Sequence, residues 1–193
     1  FKAVEDKGIS KFNKDLKIDV KIVKEENKII ISDNGIGMSE EELVANIGTI
    51  ARSGTASFLD NITGDKKKDS NLIGQFGVGF YSAFMVAEKV QVISKSVFEK
   101  NDIATLWESN GEEKYKLQQT TKDTNGTDII IYLNEESHEF AEEGRIKFLL
   151  EKYSQYINFP LNLISEADKS TRINDADALW LKPKRSIKDK EYK

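Results

Sequence analysis

The chain has 193 residues, 38% of them hydrophobic and 32% charged, with a formal net charge of −4. That is enough apolar material for one substantial core, and the mild acidity argues against a nucleic-acid binder. It contains no cysteine and one histidine, His138, which excludes disulfides, thiolate metal sites and multi-histidine metal sites.

Phe1 to Lys14 is short and polar and reads as the end of a helix plus a loop. The chain opens on Phe1 rather than Met, so a preceding segment is expected. Leu16, Ile18, Val20 and Ile22 alternate with Lys17, Asp19 and Lys21, the pattern of a half-buried strand. After a polar turn at Glu25 to Lys28, Ile29-Ile30-Ile31 predicts a more deeply buried strand. Asp33 follows at its end, in Ser32-Asp-Asn-Gly-Ile-Gly-Met38. A carboxylate there can accept hydrogen bonds from a ligand amine, and Gly35 and Gly37 let the backbone pass close to a flat ring. Asn34-Gly35 is equally a hairpin-turn signal.

Ser39-Glu40-Glu41-Glu42 predicts a capping box, and Leu43, Val44 and Ile47 a short apolar helical face ended by Gly48. Gly48 to Asn71 is rich in Gly, Ser, Thr, Asp and Lys and has little to bury; it reads as a lid or as a long surface loop. Leu72-Ile-Gly-Gln-Phe-Gly-Val-Gly-Phe80 follows, with Gly74, Gly77 and Gly79 ahead of an apolar run, Tyr81 to Ala87, that can start a helix. Backbone amides freed of Cβ crowding at a helix start can hold an anion. The spacing is neither a dinucleotide fingerprint nor a Walker loop. Taken alone, it is a phosphate cradle of another kind or a flexible connection.

Val90 to Ser94, Thr105 to Ser109, Tyr115 to Gln119 and Asp128 to Leu133 predict strands separated by turns at Asn110-Gly111 and Asn125-Gly126. Ile146, Leu149, Leu150, Tyr153 and Ile157 recur at helical spacing and predict a core-facing helix. Leu161 to Ile164 allows one more strand. His138, among Glu135, Glu136 and Glu139, is expected at the surface. Lys66-Lys67-Lys68 and Lys182 to Lys193 are basic runs, read as solvated faces. The expected class is α+β: a two-layer sandwich of a mixed, mainly antiparallel sheet with helices on one face.

In combination, Asp33-x-Gly35-x-Gly37, Gly74-x-x-Gly77-x-Gly79 and Gly126-Thr127 resemble the ATP site of the GHKL superfamily. Asn46 to Phe58 resembles the ATP lid of the ninety-kilodalton heat-shock chaperones, and Ile73 to Phe84 their second glycine motif. The resemblance runs over nearly the whole chain and implies the Bergerat-type ATP-binding fold over residues 1–165. Residues 166–177 would be a linker and 178–193, opening with Ala178-Leu179-Trp180, the start of the middle domain. The short linker favours the bacterial branch of the family.

By this resemblance, Asp33 accepts from the adenine amine and Thr127 supports the same edge, partly through water. Gly37 and Met38 line the base pocket, and Asn46 reaches the sugar–phosphate region. Gly74, Gln75, Phe76, Gly77, Val78, Gly79 and Phe80 wrap the phosphates, with Phe80 closing the floor, and Arg52 approaches them from the lid. ATP with Mg²⁺, ADP, client proteins and a second copy of the protein are the implied partners, in the cytoplasm, with no nucleic acid and no membrane. The family's general-base Glu and Mg²⁺-ligand Asn stand on a helix before the Asp33 motif, expected upstream of Phe1. Glu42 and Asn46 have the same spacing, but Glu42 is already accounted for as a helix cap. The resemblance therefore implies an ATP-hydrolysing chaperone, with this chain alone expected to be inactive. The other readings are a non-catalytic remnant that binds nucleotide weakly, or another GHKL ATPase.

Overall fold

A computed structural model describes residues 15–48, 78–99, 102–112, 114–155 and 157–174. They build one eight-stranded sheet: β1 (Ile18–Val23), β2 (Lys28–Asp33), β3 (Ala87–Lys95), β4 (Ile103–Ser109), β5 (Tyr115–Thr121), β6 (Gly126–Leu133), β7 (Leu161–Ile164) and β8 (Ser170–Arg172). The spatial order is β5-β4-β3-β6-β2-β1-β7-β8. Among the described residues β1 and β7 run parallel and every other neighbouring pair is antiparallel.

The alternation along β1 decides the faces. Val20 and Ile22 stand opposite Ile31 and Ile29 of β2, and Val20 opposite Leu163 of β7. The same row continues through Ile131 of β6, Val90 and Val92 of β3 and Trp107 of β4. These side chains make one buried cluster with Leu43, Ile47, Ala141 and Ile146 from the helical segments. The opposite face carries Asp19, Lys21, Ser32, Gln91, Glu108 and Asp128. Period-2 patterning thus gives one apolar face and one mostly polar face, and the helical layer covers the first. β2 is not the more deeply buried strand expected from Ile29-Ile30-Ile31: only Ile29 is fully buried, and Ile30 lies between Lys28 and Ser32 on the mostly polar face, which no helix among the described residues covers.

The β1–β2 turn closes through Asn27 at φ +47°. Its side chain donates to the Leu133 carbonyl at 2.9 Å, and its own carbonyl accepts from the Leu133 amide at 2.9 Å. This ties the hairpin to β6. At the other edge the buried Asn174 side chain accepts from the Leu161 amide and donates to the Ile157 and Phe159 carbonyls, each at 2.8–2.9 Å.

The helix Glu40–Leu43 begins with the expected capping box. Ser39 Oγ accepts from the Glu42 amide at 3.2 Å, and Glu42 Oε2 accepts from the Ser39 amide at 3.1 Å. It runs into a π-type turn, Val44–Gly48, with Leu43, Ile47 and Gly48 buried. Ser39→Ala should cost about 0.5–2 kcal/mol in urea denaturation. An unchanged midpoint would show that the cap contributes nothing here.

Four other sequence expectations need correction. Residues Val78–Met85 form a 3₁₀ segment rather than an α-helix, and Ala87 already belongs to β3; Gly79 and the aromatic residues Phe80, Tyr81 and Phe84 are weak α-helix formers. The helix expected over Ile146 to Ile157 spans Glu143–Tyr153, so Ile157 lies beyond it. Ile146 is buried and Leu149, Leu150 and Ile157 pack against the core, but Tyr153 is 69% exposed. It is the last helical residue, and its ring lies 5.0 Å from the Lys152 ammonium instead of in the core. Finally, Ser170–Arg172, inside the stretch read as a connector, pair with β7 as an edge strand. His138 is exposed, as expected, with Nδ1 3.0 Å from Asn27 Oδ1.

Candidate functional site

Three residues of the core face meet in one row. Ser94 of β3 pairs with Thr127 of β6, and the next strand over, β2, ends with Asp33. The Asp33 carboxylate accepts the Gly35 amide at 2.8 Å and is also bonded by the Thr127 amide. It keeps contact with solvent, yet the strands and turn around it strip away enough hydration to raise its pKa above the ordinary carboxylate value. The two amides pull the other way and are outweighed. A partly desolvated, part-satisfied carboxylate at a strand end can recognise a ligand N–H.

The turn after Asp33 folds back over the end of β3. Val97 donates to the Ile36 carbonyl at 2.8 Å, and the Met38 amide donates to Ser94 Oγ at 2.8 Å. Gly37 has φ +62°, and a Cβ there would come 1.9 Å from the Lys95 carbonyl oxygen. Gly126 has φ +114°, and its Cβ would come 2.0 Å from the Asp33 carbonyl oxygen. Both positions require glycine, one for each loop that closes on the Asp33 strand end. The Asn34 side chain accepts from the Lys17 amide at 2.7 Å and donates to the Asp15 carbonyl at 2.9 Å. The Asn34-Gly35 pair is therefore an anchored loop leading into a helix, not a two-residue hairpin.

Asn46, at the surface of the π-type turn, points Nδ2 at Met38 Sδ, 3.8 Å away. Phe80 packs edge-on against Trp107 and Phe84, with centroids 5.6 and 6.1 Å away, and Trp107 stacks on Tyr115. Asp33, Gly37, Met38 and Thr127 are brought together, with Asn46 beside Met38. Val78, Gly79 and Phe80 open the 3₁₀ segment ahead of β3. Arg52, Gly74, Gln75, Phe76 and Gly77, and the proposed lid after Gly48, lie outside the described residues.

Sequence reasoning missed two residues. Ser94 is 1% exposed, and its hydroxyl lies 2.9 Å from Thr127 Oγ1 as well as under the Met38 amide. The signal was a hydroxyl in the buried register of Val90-x-Val92-x-Ser94. Lys95 is buried, with Nζ on Asp102 Oδ1 and the Lys122 carbonyl, both at 2.9 Å. It holds the loop that feeds Gly126 and Thr127. No pattern in the sequence marks it.

Asp33 also borders an open polar cleft of about 720 Å³ shared with Lys17, Asp19, Lys122 and Asp128. That cleft includes neither Met38, Asn46 nor Phe80, so it is distinct from the core-face site. Among the described residues no group of three or more His, Cys, Asp or Glu is placed to hold a metal ion, and no helix is long and apolar enough to cross a membrane.

A carboxylate at a core strand end, a glycine turn folded over it and a second glycine segment ahead of the next strand are the frame of one ATPase class. The family model for histidine kinase-, DNA gyrase B- and HSP90-like ATPases matches residues 12–139, and the chain belongs to that family. Within it, the chain is 48% identical to the chaperone protein HtpG of Sulfurovum sp. (strain NBC37-1), covering 91% of this chain and 30% of that protein. It is 43% identical to the chaperone protein HtpG of Hydrogenovibrio crunogenus, over 100% of this chain and 32% of that one. The corresponding protein of Pseudoalteromonas translucida is 46% identical over 93% of this chain. The chain spans about a third of the length of the curated relatives it matches.

Proposed function

We propose that this chain is the ATP-binding domain of an ATP-hydrolysing molecular chaperone of the HtpG type. In the intact protein, nucleotide turnover would drive a homodimeric clamp on client proteins in the cytoplasm. The observation that carries the reading is the row Asp33–Thr127–Ser94 under the Gly37–Met38 turn. It supplies one desolvated acceptor and one hydroxyl at a common edge, as an adenine ring requires. The name shared by the relatives supports the chaperone half of the proposal.

Asp33 would take the exocyclic amine, with Thr127 on the adjacent ring nitrogen. Gly37 and Met38 would lie against the base and Asn46 toward the sugar and phosphates. Val78, Gly79 and Phe80, with Gly74 to Gly77 and Arg52, would serve the phosphates. ATP would arrive with Mg²⁺. Among the described residues no group of three or more His, Cys, Asp or Glu is placed to hold that ion without the nucleotide. The domain limits, with the ATP-binding domain carried through β8 to Asn174 and a further domain beginning near 178, belong to the same proposal.

Calorimetric titration of the full-length protein with ATP and ADP tests the site. ATP-dependent suppression of the aggregation of a heat-denatured client tests the chaperone role. Absence of nucleotide binding would overturn the first half. Suppression identical with and without ATP would overturn the coupling.

A further inference from the structure

We infer that Ser94 sets the hydrogen-bond polarity of Thr127, and that the site thereby prefers a 6-amino purine to a 6-oxo purine. The inference rests on the nucleotide-site reading above. A serine hydroxyl has one proton and two lone pairs. The Met38 amide, 2.8 Å away, occupies one lone pair of Ser94 Oγ. Two acceptors compete for the proton: Thr127 Oγ1 at 2.9 Å and the Gly126 carbonyl at 3.4 Å. The second lies beyond the usual O–H···O range, so the proton goes to Thr127.

Because Ser94 is 1% exposed, no bulk water competes for that bond. Thr127 Oγ1 then accepts from Ser94, and its own proton is left to point at the ligand. Asp33, ionised, can only accept. The two groups together therefore read a donor beside an acceptor. A 6-amino purine offers that pair, the amine and N1. A 6-oxo purine offers the reverse, a carbonyl facing a carboxylate and an N1–H facing the Thr127 proton. A bridging water that takes the Thr127 proton keeps the same sense, since its own two protons then point to Asp33 and to the base.

Ser94 is thus a positioning residue that acts through Thr127. In the full-length protein, competitive titration with ATP and ITP should show a strong ATP preference. Ser94→Ala removes the donor that fixes the Thr127 hydroxyl, which is then free to present either its proton or a lone pair to the ligand. It should weaken ATP roughly tenfold and leave ITP nearly unchanged, so the ATP:ITP preference falls by the same factor. Ser94→Thr, which keeps the hydroxyl, should restore the preference. Ser94→Cys keeps the volume with only a weak donor and should lower it, which preserves the test if the alanine variant fails to fold.

A purely structural role, holding the Met38 turn, would weaken both nucleotides alike and leave the ratio unmoved; that result overturns the inference. Failure of the underlying reading looks different. Wild type would then bind neither nucleotide, or Asp33→Asn would leave ATP affinity intact.

Discussion

Asp33→Asn should weaken ATP binding tenfold to a hundredfold while leaving the protein no less stable at neutral pH. Losing a hydrogen bond to a charged acceptor costs roughly 1.5–3 kcal/mol, which sets the affinity range. The stability half follows from the direction of the Asp33 pKa. Desolvation raises it in the folded state, so between the unfolded and folded values the native chain holds a proton that the unfolded chain has lost. Stability therefore falls as pH rises through that window, and above the folded pKa the whole penalty is present. An asparagine carries no charge to desolvate, and its Oδ1 can still accept from the Gly35 and Thr127 amides. ATP affinity should also decline at a higher pH than for an ordinary carboxylate, because protonation removes the acceptor. Calorimetry over a pH series, with Asp33→Asn as the baseline, measures both effects. Unchanged ATP affinity in the variant would remove Asp33 from the site, and a lower melting temperature at neutral pH would show that its charge is stabilising.

Gly126→Ala should be among the most damaging single substitutions in the chain. The backbone there has φ +114°, open only to glycine, and the new Cβ would lie 2.0 Å from the Asp33 carbonyl oxygen and 2.9 Å from Asn34 Cα. Both obstacles are backbone, so no side chain can swing aside. Strain of this kind costs about 1–3 kcal/mol before the clash is added, and a total near 3–5 kcal/mol is expected. The relief route is to move the Asp33 strand end, so nucleotide binding should fail even in the folded fraction. Gly144→Ala is the control. It lies in the helix Glu143–Tyr153 with nothing within 4 Å of the new Cβ, and it should gain up to about 1 kcal/mol. Urea denaturation of both variants decides the matter, and a Gly126→Ala midpoint equal to the parent's would contradict the packing described.

Local pattern was the legible part of the fold. The alternation of Val20 and Ile22 with Asp19 and Lys21 placed β1 and chose its buried face, and the Ser39–Glu42 spacing located a helix start. Strand order was not legible, because β6 sits between β2 and β3 through pairings with no local signature. Tyr153 shows the limit of periodicity. It falls on the apolar stripe by angle, but the helix ends at that residue and its ring stays in solvent. In the candidate site, Asp33 and Gly37 stand out from the contiguous run Asp33-Asn-Gly-Ile-Gly37, whereas Met38 and Thr127 enter only through the family resemblance, and the nucleotide roles of all four belong to the proposal. Ser94 and Lys95 escaped because their roles depend on what lies across the sheet, such as the Met38 amide and the Lys122 carbonyl. Only the folded register brings those together.

The position of the β1–β2 hairpin bears on how the chain acquires its structure. The hairpin is made before the strands beside it, since one flank pairs with β6 and the other with β7, so that Asp19 bonds to a side chain 143 residues later. Closing so long a loop costs entropy before any contact repays it, and folding slows as contacting residues lie farther apart in sequence. A ribosome must therefore release the chain through Ile164 before the hairpin finds both neighbours. Until then two strand edges, one of them bearing Ile29-Ile30-Ile31, stay open to pairing with other chains.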